Sequence, residues 1–138
     1  MLTVKPEAAD ALCEEAREDG VLVVANRLAP GQIAIAGTID ALDRAEARLR
    51  EHRIRKGVRL AVAGAFHSPC MASAADELSA ALDDTDFRAP AIPVVMNVSA
   101  EPVSDPAAIR EGLKRQLTSP VLWQSTMEGM LADGRSSF

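Results

Sequence analysis

Val21-Leu22-Val23-Val24-Ala25-Asn26-Arg27-Leu28-Ala29-Pro30-Gly31-Gln32-Ile33-Ala34-Ile35-Ala36-Gly37 is the stretch whose reading decides the fold. Val21 to Ala25 is rich in β-branched residues, and Gln32 to Gly37 sets Ile33 and Ile35 on one face of an extended chain, so both runs read as strands. Asn26 to Gly31, which holds Pro30-Gly31, reads as the turn between them. Toward the N-terminus, Ala9, Leu12, Cys13 and Ala16 fall at helical spacing behind Pro6, a residue suited to a first helical turn because its missing N–H costs nothing there. Gly20 ends that helix, and Leu2 to Val4 before it is a short apolar run. On the other side, Thr38 is placed to cap a helix carrying Ile39, Leu42, Ala45 and Leu49. Gly57 then stops a charged stretch, and Val58, Leu60 and Val62 alternate as a strand. The resulting order β-α-β-β-α-β over residues 1–64 is the split pattern of ferredoxin-like domains.

After Gly64 the pattern changes. Met71, Ala74, Ala75, Leu78 and Leu82 mark an amphipathic helix, and Pro93 to Val98 reads as a short buried strand followed by a polar loop. Asp105-Pro106 starts a further helix, a capping carboxylate followed by proline, with Ile109, Leu113, Gln116 and Leu117 on one face. A last helix begins after Pro120 and groups Trp123, Met127, Met130 and Leu131. One strand and three helices do not close a layered α/β core, so residues 65–138 read as an incomplete piece of a larger domain.

The 138 residues fit the size of one domain, with 48% hydrophobic and 25% charged residues, which excludes disorder. A net charge of −5 and 3% aromatics argue against nucleic-acid binding, which calls for a basic patch or stacking platforms. No apolar run approaches membrane-spanning length and no basic-then-apolar leader opens the chain, so a cytoplasmic protein is expected. The two cysteines, Cys13 and Cys70, are too few for a disulfide framework.

His67 is the most informative residue. It stands in Gly64-Ala65-Phe66-His67-Ser68-Pro69, between a predicted strand and a predicted helix, where α/β enzymes place catalytic groups. An imidazole there can serve as a general base; a partly exposed loop histidine without a task fits the same pattern. Gln116 is a polar residue on an apolar helix face, whose backbone or side-chain oxygen can orient an imidazole; a glutamine at the core margin fits equally. His67 and Cys70 form a His-x-x-Cys pair with no second pair at zinc spacing, so no metal or cofactor is expected. The chain contains no phosphate-binding glycine loop, no dinucleotide fingerprint and no Gly-x-Ser-x-Gly elbow. No nucleophile is therefore identified in this chain.

Four segments carry a family resemblance. Ala25 to Gly37 resembles the Ala-Asn-x-Asn-Ser-Pro-Gly-Gln-x-Val-Ile-Ser-Gly signature of malonyl-CoA:acyl-carrier-protein transacylases, and Gly64 to Met71 is similar to that family's catalytic-histidine motif. Pro93-Val94-Val95-Met96-Asn97-Val98 and Gln116 to Trp123 resemble two further family segments, in the family's order. The resemblance implies an α/β-hydrolase-like acyltransferase domain with an inserted ferredoxin-like subdomain, of which this chain would be the C-terminal part. It implies that malonyl passes from malonyl-CoA to the phosphopantetheine thiol of acyl carrier protein, with His67 the general base and the Gln116 backbone carbonyl its orienting group. Phe66 and Asn26 would then contact substrate, Phe66 being like the motif of malonyl-selective members. Leu28 and Ala29 depart from the signature's polar residues. The family's serine elbow, its carboxylate-gripping arginine and its early glutamine all precede the matching part, and the family continues past the Gly134 to Phe138 tail. On this reading the chain alone is inactive and partners a missing N-terminal half. A polyketide synthase acyltransferase fragment and a non-catalytic ferredoxin-like module that binds acyl carrier protein are the alternatives.

Overall fold

A computed structural model describes residues 1–137; the end of the tail, Phe138, lies outside the described residues. The architecture is mixed α/β. Strands β1 (Leu2–Thr3), β2 (Leu22–Ala29) and β3 (Gln32–Gly37) form an antiparallel sheet in the order β1-β3-β2, and helices α1 (Pro6–Arg17) and α2 (Ile39–Arg48) pack with it. The core joins Leu12 and Ala16 of α1, Leu22 and Ile33 of the sheet, Ala41 and Ala45 of α2, and Ile54. Alanine at the helix contacts lets the backbones approach closely, and Leu12, Ile33 and Ile54 supply the bulk.

The hairpin is tighter than the sequence suggests. β2 continues through Asn26 to Ala29, so only Pro30-Gly31 turns, with Gly31 at φ +76°. The extra residues of β2 are absorbed as register irregularities between Val24 and Asn26 and between Arg27 and Ala29. A second correction concerns Val58 to Val62. That segment touches β1 only through the Leu2–Gly57 bridge and reciprocal main-chain hydrogen bonds between Met1 and Val58, at 2.6 and 2.9 Å. A two-residue partner gives a strand too little to pair with, and Val58, Leu60 and Val62 stay exposed.

Helix ends also differ from expectation. α1 stops at Arg17, with Glu18 at φ +46°, and Thr38 makes no side-chain cap to α2. Guanidinium groups from α2 take over the terminal carbonyls of α1: Arg44 donates to Ala16 and Arg17 at 2.8 and 2.7 Å, and Arg48 donates to Glu15 at 2.9 Å. The face of α2 that packs is Ala41 and Ala45, while Ile39 points to solvent.

In the second part, a 3₁₀ turn (Pro69–Met71) leads into α3 (Ala72–Asp83). β4 (Val94–Met96) pairs with β5 (Glu101–Val103), a strand that the polar reading of this loop concealed. α4 (Pro106–Gln116) begins at Asp105, whose carboxylate accepts from the Ala108 amide at 2.7 Å, and Gly112 lets the helix pass close over Met96. α5 (Trp123–Ala132) buries Thr126 rather than the expected Trp123 and Leu131, which remain exposed. The two parts meet where Val121 bridges β2 in parallel: its amide donates to Ala25 and its carbonyl accepts from Arg27, both at 2.9 Å.

Candidate active site

The segment from Gly64 to Met71 builds the site. Ser68 is fully buried; its hydroxyl donates to the Ala65 carbonyl at 2.6 Å and accepts from the Cys70 amide at 3.3 Å. This double bond pattern closes a tight loop around the residue between, and His67 adopts φ +63°, the left-handed region that costs a residue with a Cβ about 1–3 kcal/mol. Two consecutive carbonyls at the end of α4 hold it there. The His67 amide donates to Leu117 at 3.0 Å, and its ring Nδ1 lies 3.0 Å from the Gln116 oxygen.

The second contact fixes the tautomer by elimination. A carbonyl oxygen accepts and cannot donate, so Nδ1 must carry the proton, and in the neutral ring the basic lone pair resides on Nε2. Nε2 has no hydrogen-bond partner among the described residues. The oxygen that faces Nδ1 belongs to the last residue of an 11-residue helix, where the negative end of the helix dipole favours a cation. The arrangement can therefore accept a proton at Nε2 while a carbonyl orients the ring, the service a carboxylate gives in other histidine sites.

His67 opens on a groove of about 490 Å³ that Asn26, Ile35, Leu42, Leu60 and Phe66 also line. Phe66 and Asn26 thus share one cavity with the imidazole, Phe66 through its half-exposed ring and Asn26 from the irregular stretch of β2. Gln116 stands behind the ring rather than in the groove. Sequence reasoning missed Ser68 and Leu117. The burial of Ser68 has no signature in a loop otherwise rich in small residues, and Leu117 acts through a main-chain oxygen that every residue has. Among the described residues there is no group of three or more His, Cys, Asp or Glu side chains that could hold a metal, and no helix is long and apolar enough to cross a membrane.

With a loop histidine held by main-chain carbonyls at the mouth of a groove, the chain belongs to the acyl transferase domain family, whose model matches residues 1–138. Within that family it is similar to malonyl-CoA:acyl carrier protein transacylases. It is 35% identical over 139 residues to the malonyl CoA-acyl carrier protein transacylase of Bacillus subtilis (strain 168), covering 100% of this chain and 44% of the relative. Against the protein of the same name from Escherichia coli (strain K12) it is 39% identical over 122 residues, 88% of this chain and 40% of the relative. The crystal structure of malonyl-CoA:acyl carrier protein transacylase from Xanthomonas oryzae pv. oryzae superposes with a TM-score of 0.91 at 41% identity, covering 96% of this chain and 42% of that one. A malonyl-transacylase solved in complex with a type II polyketide acyl-carrier protein gives 0.92 at 33% identity, covering 97% and 43%. The chain spans about two fifths of the length of these relatives.

Proposed function

We propose that this chain supplies the histidine side of an [acyl-carrier-protein] S-malonyltransferase site, and that the nucleophilic serine comes from protein outside these 138 residues. The observation that carries the reading is the Nδ1 contact to Gln116 at 3.0 Å, which leaves Nε2 as the base beside the groove.

The chemistry runs in two balanced halves. The serine hydroxyl gives its proton to Nε2 of His67 while its oxygen bonds to the thioester carbonyl of malonyl-CoA. Collapse of the tetrahedral centre breaks the C–S bond, and the imidazolium returns the proton to the departing CoA sulfur. The phosphopantetheine thiol of acyl carrier protein then loses its proton to Nε2 as its sulfur attacks the malonyl ester. The C–O bond breaks, and the serine oxygen regains the proton. Phe66 packs beside the malonyl group, and Asn26 contacts substrate from β2.

In this reading residues 1–64 are the ferredoxin-like subdomain, with residues 57–58 standing where a fourth strand would lie beside β1. Residues 65–138 belong to the larger acyltransferase domain. The exposed apolar side chains Ile92, Val94, Trp123 and Leu131 support packing against further protein. Both thiols are free, which supports a reducing, cytoplasmic setting. A steady-state assay with malonyl-CoA and acyl carrier protein tests the missing nucleophile: the chain alone shows no turnover, and turnover above the uncatalysed rate would place a nucleophile within it.

A further inference from the structure

A main-chain carbonyl does not select a side chain, so the contact between Gln116 and His67 leaves the identity of residue 116 unexplained. The side chain supplies a reason. Gln116 is half-buried, and its Nε2 donates to the carbonyls of Ser119 at 3.1 Å and Pro120 at 3.4 Å. The Ser119 amide in turn donates to the Gln116 oxygen at 3.3 Å, so residue 119 is held to residue 116 through both its N–H and its C=O. Beyond this ring the chain is fixed again, where Val121 bonds to Ala25 and Arg27 and the Leu122 amide donates to Asn97 at 2.8 Å. The turn that ends α4 is thus tied at both ends, and the two carbonyls that grip His67, those of Gln116 and Leu117, lie within it.

We infer that the side-chain amide of Gln116 is a positioning group for His67: by closing the 116–120 turn it aims two consecutive carbonyls at the histidine and holds the ring in its Nδ1–H tautomer. Removing the donor leaves the Ser119 and Pro120 carbonyls without that partner and frees the turn to open. His67 sits in a strained backbone region and keeps its place only while its surroundings over-determine it, so loosening the turn releases both the backbone and the ring. Leu117 and Gln116 then cease to act as a pair.

The inference rests on the reading of His67 as the base, and its test separates the two. Nitrogen-15 spectra of the imidazole rings are recorded on the 138-residue chain, with His52, the other histidine, assigned by its absence in His52→Gln. The wild-type chain shows His67 as a single Nδ1–H tautomer. Gln116→Met, close in shape but without a donor, loses that single signature and gives an averaged ring, while Gln116→Lys, which keeps a donor, retains it. An unchanged His67 tautomer in Gln116→Met overturns the inference and leaves the base reading intact. A wild-type ring that is already averaged contradicts the base reading itself. Should Gln116→Met fail to fold, a folded Gln116→Lys with the tautomer kept supports the donor. Loss of the tautomer in Gln116→Lys, or failure of both variants to fold, overturns it in favour of a structural role alone.

Discussion

The ring Nδ1 of His67 lies 3.0 Å from the main-chain oxygen of Gln116, forty-nine residues further along the chain. That contact links a strained loop to the end of α4, and the end of α4 is linked in turn to β2 through Val121. The imidazole is thereby tied to both parts of the molecule, the pre-organisation that the proposed role of general base calls for.

The buried hydroxyl of Ser68 maintains the loop from within. Ser68→Ala deprives the Ala65 carbonyl and the Cys70 amide of their partner in a site with no solvent access, a loss of about 1–3 kcal/mol. Urea unfolding measures it, with a lowered midpoint expected. A midpoint equal to the wild type would show that water replaces the hydroxyl.

Arg44 binds two carbonyls at the end of α1 and lies 3.4 Å from Glu18. Its removal in Arg44→Ala takes the guanidinium from the Ala16 carbonyl and leaves the Arg17 carbonyl to the Gly20 amide. Stability falls by about 1.5–3 kcal/mol, the range for hydrogen bonds to a charged group. Arg44→Lys recovers only part of this, because an ammonium does not reproduce the forked geometry of the guanidinium. Equal stability of the alanine and lysine variants would argue that packing of the stem, not the donors, is what matters.

Gly37 ends β3 against the backbone of residue 21. A Cβ there would stand 1.9 Å from the Val21 oxygen, and because the obstacle is main chain the strand has to move. Gly37→Ala is expected to destabilise at or above the overpacking range of about 1–3 kcal/mol. Thermal melting followed by circular dichroism reads the effect, and a melting temperature within error of the wild type would contradict the close approach.

Burial pushes the Cys13 thiol up to about 12, with Asp10 adding to the rise and Arg27 opposing it. The sign follows from proton counting. Below the ordinary thiol value of 9.0 both folded and unfolded states hold the proton, and the contribution is fully present. Between 9.0 and about 12 the unfolded thiol ionises while the folded one does not, so stability falls as pH rises, with a limiting slope of about 1.4 kcal/mol per pH unit. Cys13→Ala removes that slope, and an identical alkaline profile in the variant would assign it to other groups. At pH 8 a thiol reagent labels exposed Cys70 rapidly and reaches Cys13 only on unfolding.

What the sequence revealed divides along a physical line. The β2–β3 hairpin and α1 are legible because period and composition agree: Ile33 is buried where alternation puts it, and Ala9, Leu12, Cys13 and Ala16 are the buried residues of α1. Segments that lean on few neighbours read less well. Val58 to Val62 alternates like a strand but has only two residues of β1 beside it, and the apolar stripe of α5 stays exposed while Thr126 turns inward. The sequence makes the turn four residues too long because Asn26 to Ala29 look turn-like, whereas pairing to Gln32, Ile33 and Ala34 keeps them extended. At the site, His67 and Gln116 stand out as polar residues in apolar settings. Main-chain contacts leave no mark on composition, so the Leu117 carbonyl and the Val121 bridge become visible only in three dimensions.

The most direct test of the central claim is the rate of malonyl transfer from malonyl-CoA to acyl carrier protein, measured for this chain combined with a separately expressed N-terminal half bearing a Gly-His-Ser-x-Gly elbow, with His67 intact and as His67→Ala. The account predicts transfer in the wild-type combination and loss of at least about a hundredfold in the variant, the lower range for removal of a general base. Transfer that proceeds equally well without the imidazole would contradict it.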